Sequence, residues 1–291
     1  MKNVKAKTNE QIAMQVSANS IAVNLMLSIF KLIAGLLASS GAMISDAIHS
    51  ASDVFSTIIV IIGVKISGKA SDEDHPYGHD RFECVASIIL AILLGVTGVG
   101  IGLTGVQKLI AGHYDTLAIP GILALAAAVI SIVVKEIMYW YTRNAAKKIN
   151  SGALMADAWH HRSDALSSVG SFVGIFGARM GFPMLDPLAS VVICLFVVKA
   201  AVDIFRDAIS KMTDRSCDQK TVNEMHDCIM NIRGVEGIDL LKTRSFGSKY
   251  YVDIEISADG NKKLWETHAI AENVHQAIEH QFPLVKHCMV H

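Results

Sequence analysis

Six stretches of the chain are apolar for long enough to cross a bilayer as helices, which takes about 20 residues each. They are Ile12 to Ala38, Met43 to Ile66, Phe82 to Leu109, Leu117 to Trp140, Leu154 to Met180 and Leu185 to Phe205. In hydrocarbon each backbone N–H and C=O must find its partner within the segment, so each stretch is predicted to be a helix. The third is the cleanest, with no charge between Cys84 and Gln107. The five prolines, Pro76, Pro120, Pro183, Pro187 and Pro283, all fall at or between span ends, where turns and first helical turns accept them.

Charge is distributed to match. Only 18% of the 291 residues are charged, against about 25% in an ordinary soluble domain. From Lys211 onward 22 of 81 residues are charged, whereas the first 210 hold 31. A membrane domain over 1–210 and a small soluble domain over 211–291 are the expectation. Disorder, a secreted disulfide scaffold and a simple soluble enzyme are excluded. With a net charge of −1 there is no global basic field to attract nucleic acid. Cys84, Cys194, Cys217, Cys228 and Cys288 form no C-x-x-C pair, which argues against a thiolate zinc site.

Lys and Arg in short loops set orientation. Lys2, Lys5, Lys7, Lys65, Lys69, Arg81, Arg143, Lys147, Lys148, Arg206, Lys211 and Arg215 fall on one side of a six-span arrangement, and Lys108 and Arg179 on the other. A multi-pass protein with both termini cytoplasmic follows, and the N-terminal lysines read as a cytoplasmic tail and not as a signal peptide. Short loops with cytoplasmic ends suit a bacterial inner membrane, and would also suit an organelle. Tyr139, Trp140 and Tyr141 are expected in an interfacial aromatic belt.

The tail changes period. Thr221 to Ile232 is expected as an amphipathic helix, Val235 to Phe246 and Tyr250 to Ser257 as strands joined by a Phe246-Gly-Ser-Lys249 turn, Leu264 to Gln281 as a second helix, and Val285 to His291 as a last strand. This is an α+β domain.

The chemistry lies in an internal repeat. Span two reads Asp46-Ala-Ile-His49-Ser-Ala-Ser-Asp53, and span five reads Asp157-Ala-Trp-His160-His-Arg-Ser-Asp164. Both are D-A-x-H-x-x-S-D. Three spans separate the copies, so the second is inverted in the membrane, a pattern of secondary transporters. His and Asp at i and i+4 share one helix face. If the faces of His49/Asp53 and His160/Asp164 meet, two imidazoles and two carboxylates converge as four N/O ligands, a set suited to tetrahedral zinc. The rival reading is hydrogen-bonding glue between helices, but an ionisable group in mid-membrane costs about 2.5–3.5 kcal/mol, and two matched sets are expensive glue. Asp46 and Asp157, three residues before each His, are candidates to orient the ligands or to wet the path. His161 points elsewhere on its helix. Because protons compete with metal for imidazole and carboxylate, exchange of a divalent ion for protons is the natural energy source.

With these motifs the chain resembles the cation diffusion facilitator family along essentially its whole length. The loop Asp72-Glu-Asp-His75-Pro-Tyr-Gly-His79-Asp-Arg81 strengthens the resemblance. The resemblance implies a homodimer that exports divalent metal by proton antiport, with a ferredoxin-like cytoplasmic domain for dimerisation and regulation. It implies a transport site at His49, Asp53, His160 and Asp164 and a loop site at Asp72, His75 and His79. It implies a third metal region at His268 and His291, with Asp239 and Glu255 where other members carry histidine, and His287 as a substitute. It also implies a salt bridge between Arg81 and Asp214 where spans meet tail. His226, His275 and His280 are expected to decorate helix faces.

The donor set favours Zn²⁺, with Mn²⁺, Fe²⁺, Co²⁺ and Cd²⁺ behind it. An intramembrane metalloprotease is excluded by the lack of an H-E-x-x-H motif and of a coordination position for water. A membrane-bound metal sensor is the remaining alternative, but a sensor has no need of matched ligands in two inverted copies.

Overall fold

A computed structural model describes residues 8–37, 41–111, 122–179 and 185–291; side chains at 41–49, 51–52 and scattered positions of the later helices lie outside that description. Six long helices come first: α1 (Asn9–Leu37), α2 (Gly41–Ser67), α3 (Phe82–Ala111), α4 (Ile122–Ile149), α5 (Gly152–Arg179) and α6 (Leu185–Met212). Then come α7 (Gln219–Met230), β1 (Gly237–Phe246), β2 (Lys249–Ser257), α8 (Leu264–Gln281) and β3 (Val285–Val290).

The helices outrun their apolar stretches at the end that meets the tail. α4 was expected to stop at Trp140 and continues to Ile149, and α6 continues past Phe205 to Met212. Hydropathy marks the part that suits lipid, whereas good helix formers such as Ala145, Ala146, Lys147 and Lys148 carry the helix on. The aromatic trio also divides. Tyr139 is buried and packs edge-on against Trp159, while Trp140 and Tyr141 are exposed. Successive residues on a helix point about 100° apart, so three in a row cannot share one lipid-facing side.

Two hairpins and one pair build the bundle: α1 packs on α2, α4 on α5, and α3 on α6. The α3–α6 seam is close because glycines line it. A Cβ on Gly98 would sit 2.8 Å from Val197 Cγ1, and one on Gly102 would sit 2.4 Å from Cys194 Sγ. Small residues four apart let membrane helices approach in this way. The α4–α5 turn is two residues long. Asn150 takes a left-handed φ of 54°, its N–H donates to Lys147 O, and the Ser151 N–H donates to Ala146 O. That is a Schellman ending with Asn in the αL position. Ser151 Oγ then accepts from the Leu154 N–H at 3.2 Å, capping α5. α6 ends in the same way, with Asp214 at φ 59°.

In the tail, β1 and β2 are antiparallel, β2 and β3 are parallel, and α8 is the crossover. The order αββαβ is that of a ferredoxin-like unit without its leading strand. Met225 and Ile229 of α7, with Ile270, Val274 and Ile278 of α8, put one apolar stripe of each helix toward the sheet. Val252 and Ile254, two apart on the central strand, share a core with Met225, Ile229, Val274 and Ile278. The Asp218 side chain accepts from the Thr221 N–H at 3.0 Å and caps α7. That hydrogen bond, and one from the Thr221 hydroxyl, hold the Asp218 carboxyl below its usual range. The hairpin turn lies at Gly247-Ser248, with Gly247 at φ 65°. A Cβ there would fall 2.2 Å from Asp80 O, so the hairpin abuts the α2–α3 loop.

Candidate functional site

The two inverted motifs meet near the middle of the bundle. Asp53 of α2 is 2% exposed and Asp164 of α5 is 7% exposed. His160, one turn before Asp164 on α5, places Nε2 3.5 Å from Asp53 Oδ1. Among the described residues, Asp53, His160 and Asp164 form one of two groups whose ligand atoms all lie close enough to hold one metal ion. The side chains of His49 and Asp46 lie outside the described residues. α2 is helical through both positions, so His49 stands one turn before Asp53.

A lysine stands inside this site. Lys135 of α4, also 2% exposed, donates from Nζ to Asp53 Oδ2 at 2.5 Å and to Asp164 Oδ2 at 2.9 Å. Asp53 thus turns one oxygen to the imidazole and the other to the ammonium. The signal that could have found Lys135 was present in the sequence: an ionisable residue inside the fourth apolar stretch marks a functional position by default. The same applies to Lys31 of α1, buried and donating to Ser50 Oγ at 2.9 Å. Counting lysines as orientation markers passes over both.

Asp157 does not join this group. It is fully buried, accepts from Thr57 Oγ1 at 3.2 Å, and lies 3.5 Å from His161 Nε2. Thr57 is one turn beyond Asp53 on α2, so this hydrogen bond ties the second motif to the helix of the first. His161, as its position beside His160 requires, points away from the carboxylate pair.

The second group is Asp72, His75 and His79 in the α2–α3 loop. Asp72 Oδ1 accepts from the His75 N–H at 2.7 Å and lies 3.3 Å from His75 Nδ1; Asp72 Oδ2 lies 3.3 Å from His79 Nε2. The His75 N–H holds the Asp72 carboxyl below its usual range, against a smaller opposing effect of desolvation. His79 Nδ1 is 3.1 Å from Ala70 O. With its proton on that nitrogen, His79 turns a free Nε2 lone pair toward Asp72, the arrangement that orients a metal-binding imidazole. Two imidazoles and a carboxylate fit a zinc-type ion with one position open.

The five tail candidates do not converge within one chain. Asp239, Glu255, His268, His287 and His291 are all exposed and form no such group among the described residues. A bulge in β1 between Ile238 and Leu240 takes Asp239 out of register, and Glu255 faces Leu240 instead. His275, expected as surface decoration, is half-buried: its Nδ1 is 2.7 Å from Cys288 O, and its ring is 5.9 Å from that of His287. Packing against β3 draws it in. Cys288, buried beneath, has its thiol pushed up to about 12 by burial, with Glu279 and Asp253 adding to it.

Loop and tail are fastened together. Arg81 Nη2 pairs with Asp214 Oδ1 within the same chain, and its guanidinium lies 4.9 Å over the Phe246 ring. Lys286 of β3 pairs with Asp80 and donates to Tyr77 O at 2.9 Å. The Tyr251 hydroxyl donates to that same carbonyl at 3.3 Å.

Two ligand groups, an inverted motif and a docked α+β tail define a metal-ion carrier. Residues 17–213 match the cation efflux transmembrane domain, and residues 217–291 match the cation efflux protein cytoplasmic domain. The chain belongs to this family, the cation diffusion facilitators, which are transporters of divalent metal and not enzymes. It is similar to an uncharacterized transporter of Methanocaldococcus jannaschii, at 38% identity over 89% of this chain and 91% of that one. It is also similar to two manganese efflux system proteins of Bacillus subtilis. Identity to MneP is 31%, covering 98% of this chain and 97% of MneP; identity to MneS is 34%, covering 90% and 89%.

Proposed function

We propose that this chain is a proton-coupled antiporter that exports a divalent transition-metal ion from the cytoplasm. It would work as a homodimer in a bacterial inner membrane, crossing six times with both termini cytoplasmic. The observation that carries the reading is the convergence of Asp53, His160 and Asp164 from two inverted motifs. In this reading His49 completes the transport set, Asp72, His75 and His79 take up a second ion, and Arg81 with Asp214 keeps helices and tail in register. Residues 1–210 do the transport and 211–291 regulate it and hold the dimer. Metal in the tail would need His268, His287, His291, Asp239 and Glu255 to be completed from a second copy.

Zinc is the first choice of ion because imidazole joins carboxylate in the set. Manganese is the second reading, favoured by the two Bacillus subtilis relatives named for manganese efflux. The test is metal-driven proton flux in proteoliposomes across Zn²⁺, Mn²⁺, Fe²⁺, Co²⁺ and Cd²⁺, repeated with His49→Asp. The expected result is proton movement opposite to the metal, strongest with Zn²⁺, shifting toward Mn²⁺ in the variant. Metal uptake indifferent to an imposed pH gradient would sink the antiport.

A further inference from the structure

The ammonium of Lys135 is bonded to Oδ2 of both Asp53 and Asp164, the two carboxylates that would hold the transported ion. We propose that Lys135 is a tethered competitor: its ammonium closes the carboxylate pair when the ion is absent and must be displaced for the ion to bind. It therefore lowers metal affinity and speeds release. This rests on the reading of Asp53, His160 and Asp164 as the transport site.

Three observations carry it. The first is exclusivity. A zinc-type ion sits about 2.0–2.2 Å from a carboxylate oxygen, and an ammonium bonded to the same two carboxylates would face it at close range in a site where charges are poorly screened. Ion and ammonium take turns. The second is charge. Two buried carboxylates with neutral imidazoles sum to −2, which is costly in hydrocarbon. The ammonium halves that charge in the unloaded state; in the loaded one a divalent ion cancels it and the displaced ammonium leaves the site at +1, which weakens the hold on the ion. No proton need leave Lys135 in either step.

The third is a place to go. Lysine carries a compact charge on a flexible four-carbon stem, so it can swing without moving α4. Ser131, one turn nearer the N-terminus of α4, is buried with a hydroxyl oxygen that has no hydrogen-bond partner among the described residues. Helical side chains lean toward that end. Parked there, the ammonium stays close enough to repel the bound ion, which favours its release.

The test uses the full chain, with Zn²⁺ and Mn²⁺ binding measured by equilibrium dialysis and transport measured in proteoliposomes. Lys135→Met keeps the stem and removes the charge. It should tighten both ions by at least about tenfold, a ratio well inside the coupling of close buried charge pairs. KM and turnover should fall together. A purely structural salt bridge would instead lower thermal stability with no gain in affinity. Unchanged or weaker metal binding by folded Lys135→Met overturns the proposal. Should that variant fail to fold, Lys135→Arg decides. Its planar fork grips both carboxylates more firmly than an ammonium, so metal affinity should drop several-fold, and an unchanged affinity overturns the proposal. Asp53→Ala in parallel tests the underlying reading. If it keeps both binding and transport, the assignment of the site has failed rather than the role of Lys135.

Discussion

Asp72 shows how one residue can be read at two levels. Its carboxylate is a candidate ligand and also the acceptor that folds the loop by taking the His75 N–H. Because that bond holds its pKa below the ordinary carboxylate value of about 3.9, its contribution is complete above that pH. It is lost only as pH falls through the lower, folded-state value. The His75 amide should therefore keep its exchange protection from neutral pH to below about 4, and Asp72→Ala should remove the protection at every pH, as hydrogen exchange would report. At the proposed loop site the same substitution should weaken zinc binding by about 10- to 100-fold, the loss typical of removing even an orienting partner. Protection in the variant equal to the parent would refute the role. At this scale the sequence was readable wherever a motif repeats. Asp53, His160 and Asp164 were found through the repeated spacing. Lys135 has no counterpart in a second copy, and only three-dimensional proximity joins it to them. His275 was misread for a related reason: its position on α8 is visible, but the carbonyl of Cys288 that draws it in belongs to a strand placed by the crossover.

Elements were legible through period and length, and their ends were not. Apolar stretches located the six long helices, and alternation located β1 and β2, because each element buries a face of fixed repeat. Helix ends depend on caps and good helix formers beyond the lipid-suited part, as at Asn150 and Ser151. The bulge at Ile238/Leu240 leaves no hydropathy signal, which is why Asp239 and Glu255, grouped by the family resemblance, do not stand opposite each other in the sheet. The α3–α6 seam gives a prediction at this scale. Gly102→Val would put a branched side chain where Cys194 Sγ already lies 2.4 Å from the Cβ position. It should destabilise the protein by about 1–3 kcal/mol, read as a lower Tm in detergent. Gly100 has nothing within 4 Å of its Cβ position, so Gly100→Ala should be neutral or slightly stabilising. Equal effects at the two glycines would show that helix propensity, and not the seam, is being measured.

For the whole molecule, the junction between helices and tail separates stability from coupling. Asp214 adopts a left-handed conformation that glycine takes more readily, yet its carboxylate is spent on Arg81. Asp214→Gly should leave Tm unchanged or raise it slightly, since an exposed ion pair is worth about 0–1 kcal/mol and a C-terminal glycine recovers a similar amount. The tail should nevertheless loosen. Spin labels on the α2–α3 loop and on α7 should give a broader distance distribution than the parent, and an equally narrow one would show that Lys286 and Tyr251 hold the junction alone.

The two-residue turn at Asn150-Ser151 reaches further than capping. It makes α4 and α5 one jaw, which carries Lys135, His160 and Asp164 together, while Asp53 rides on the opposite jaw of α1 and α2. Any rocking that parts the jaws must draw Asp53 away from the other three at once. In the proposed transporter such a movement would admit solvent and loosen the hold on the ion together, breaking the Thr57–Asp157 hydrogen bond as it did so.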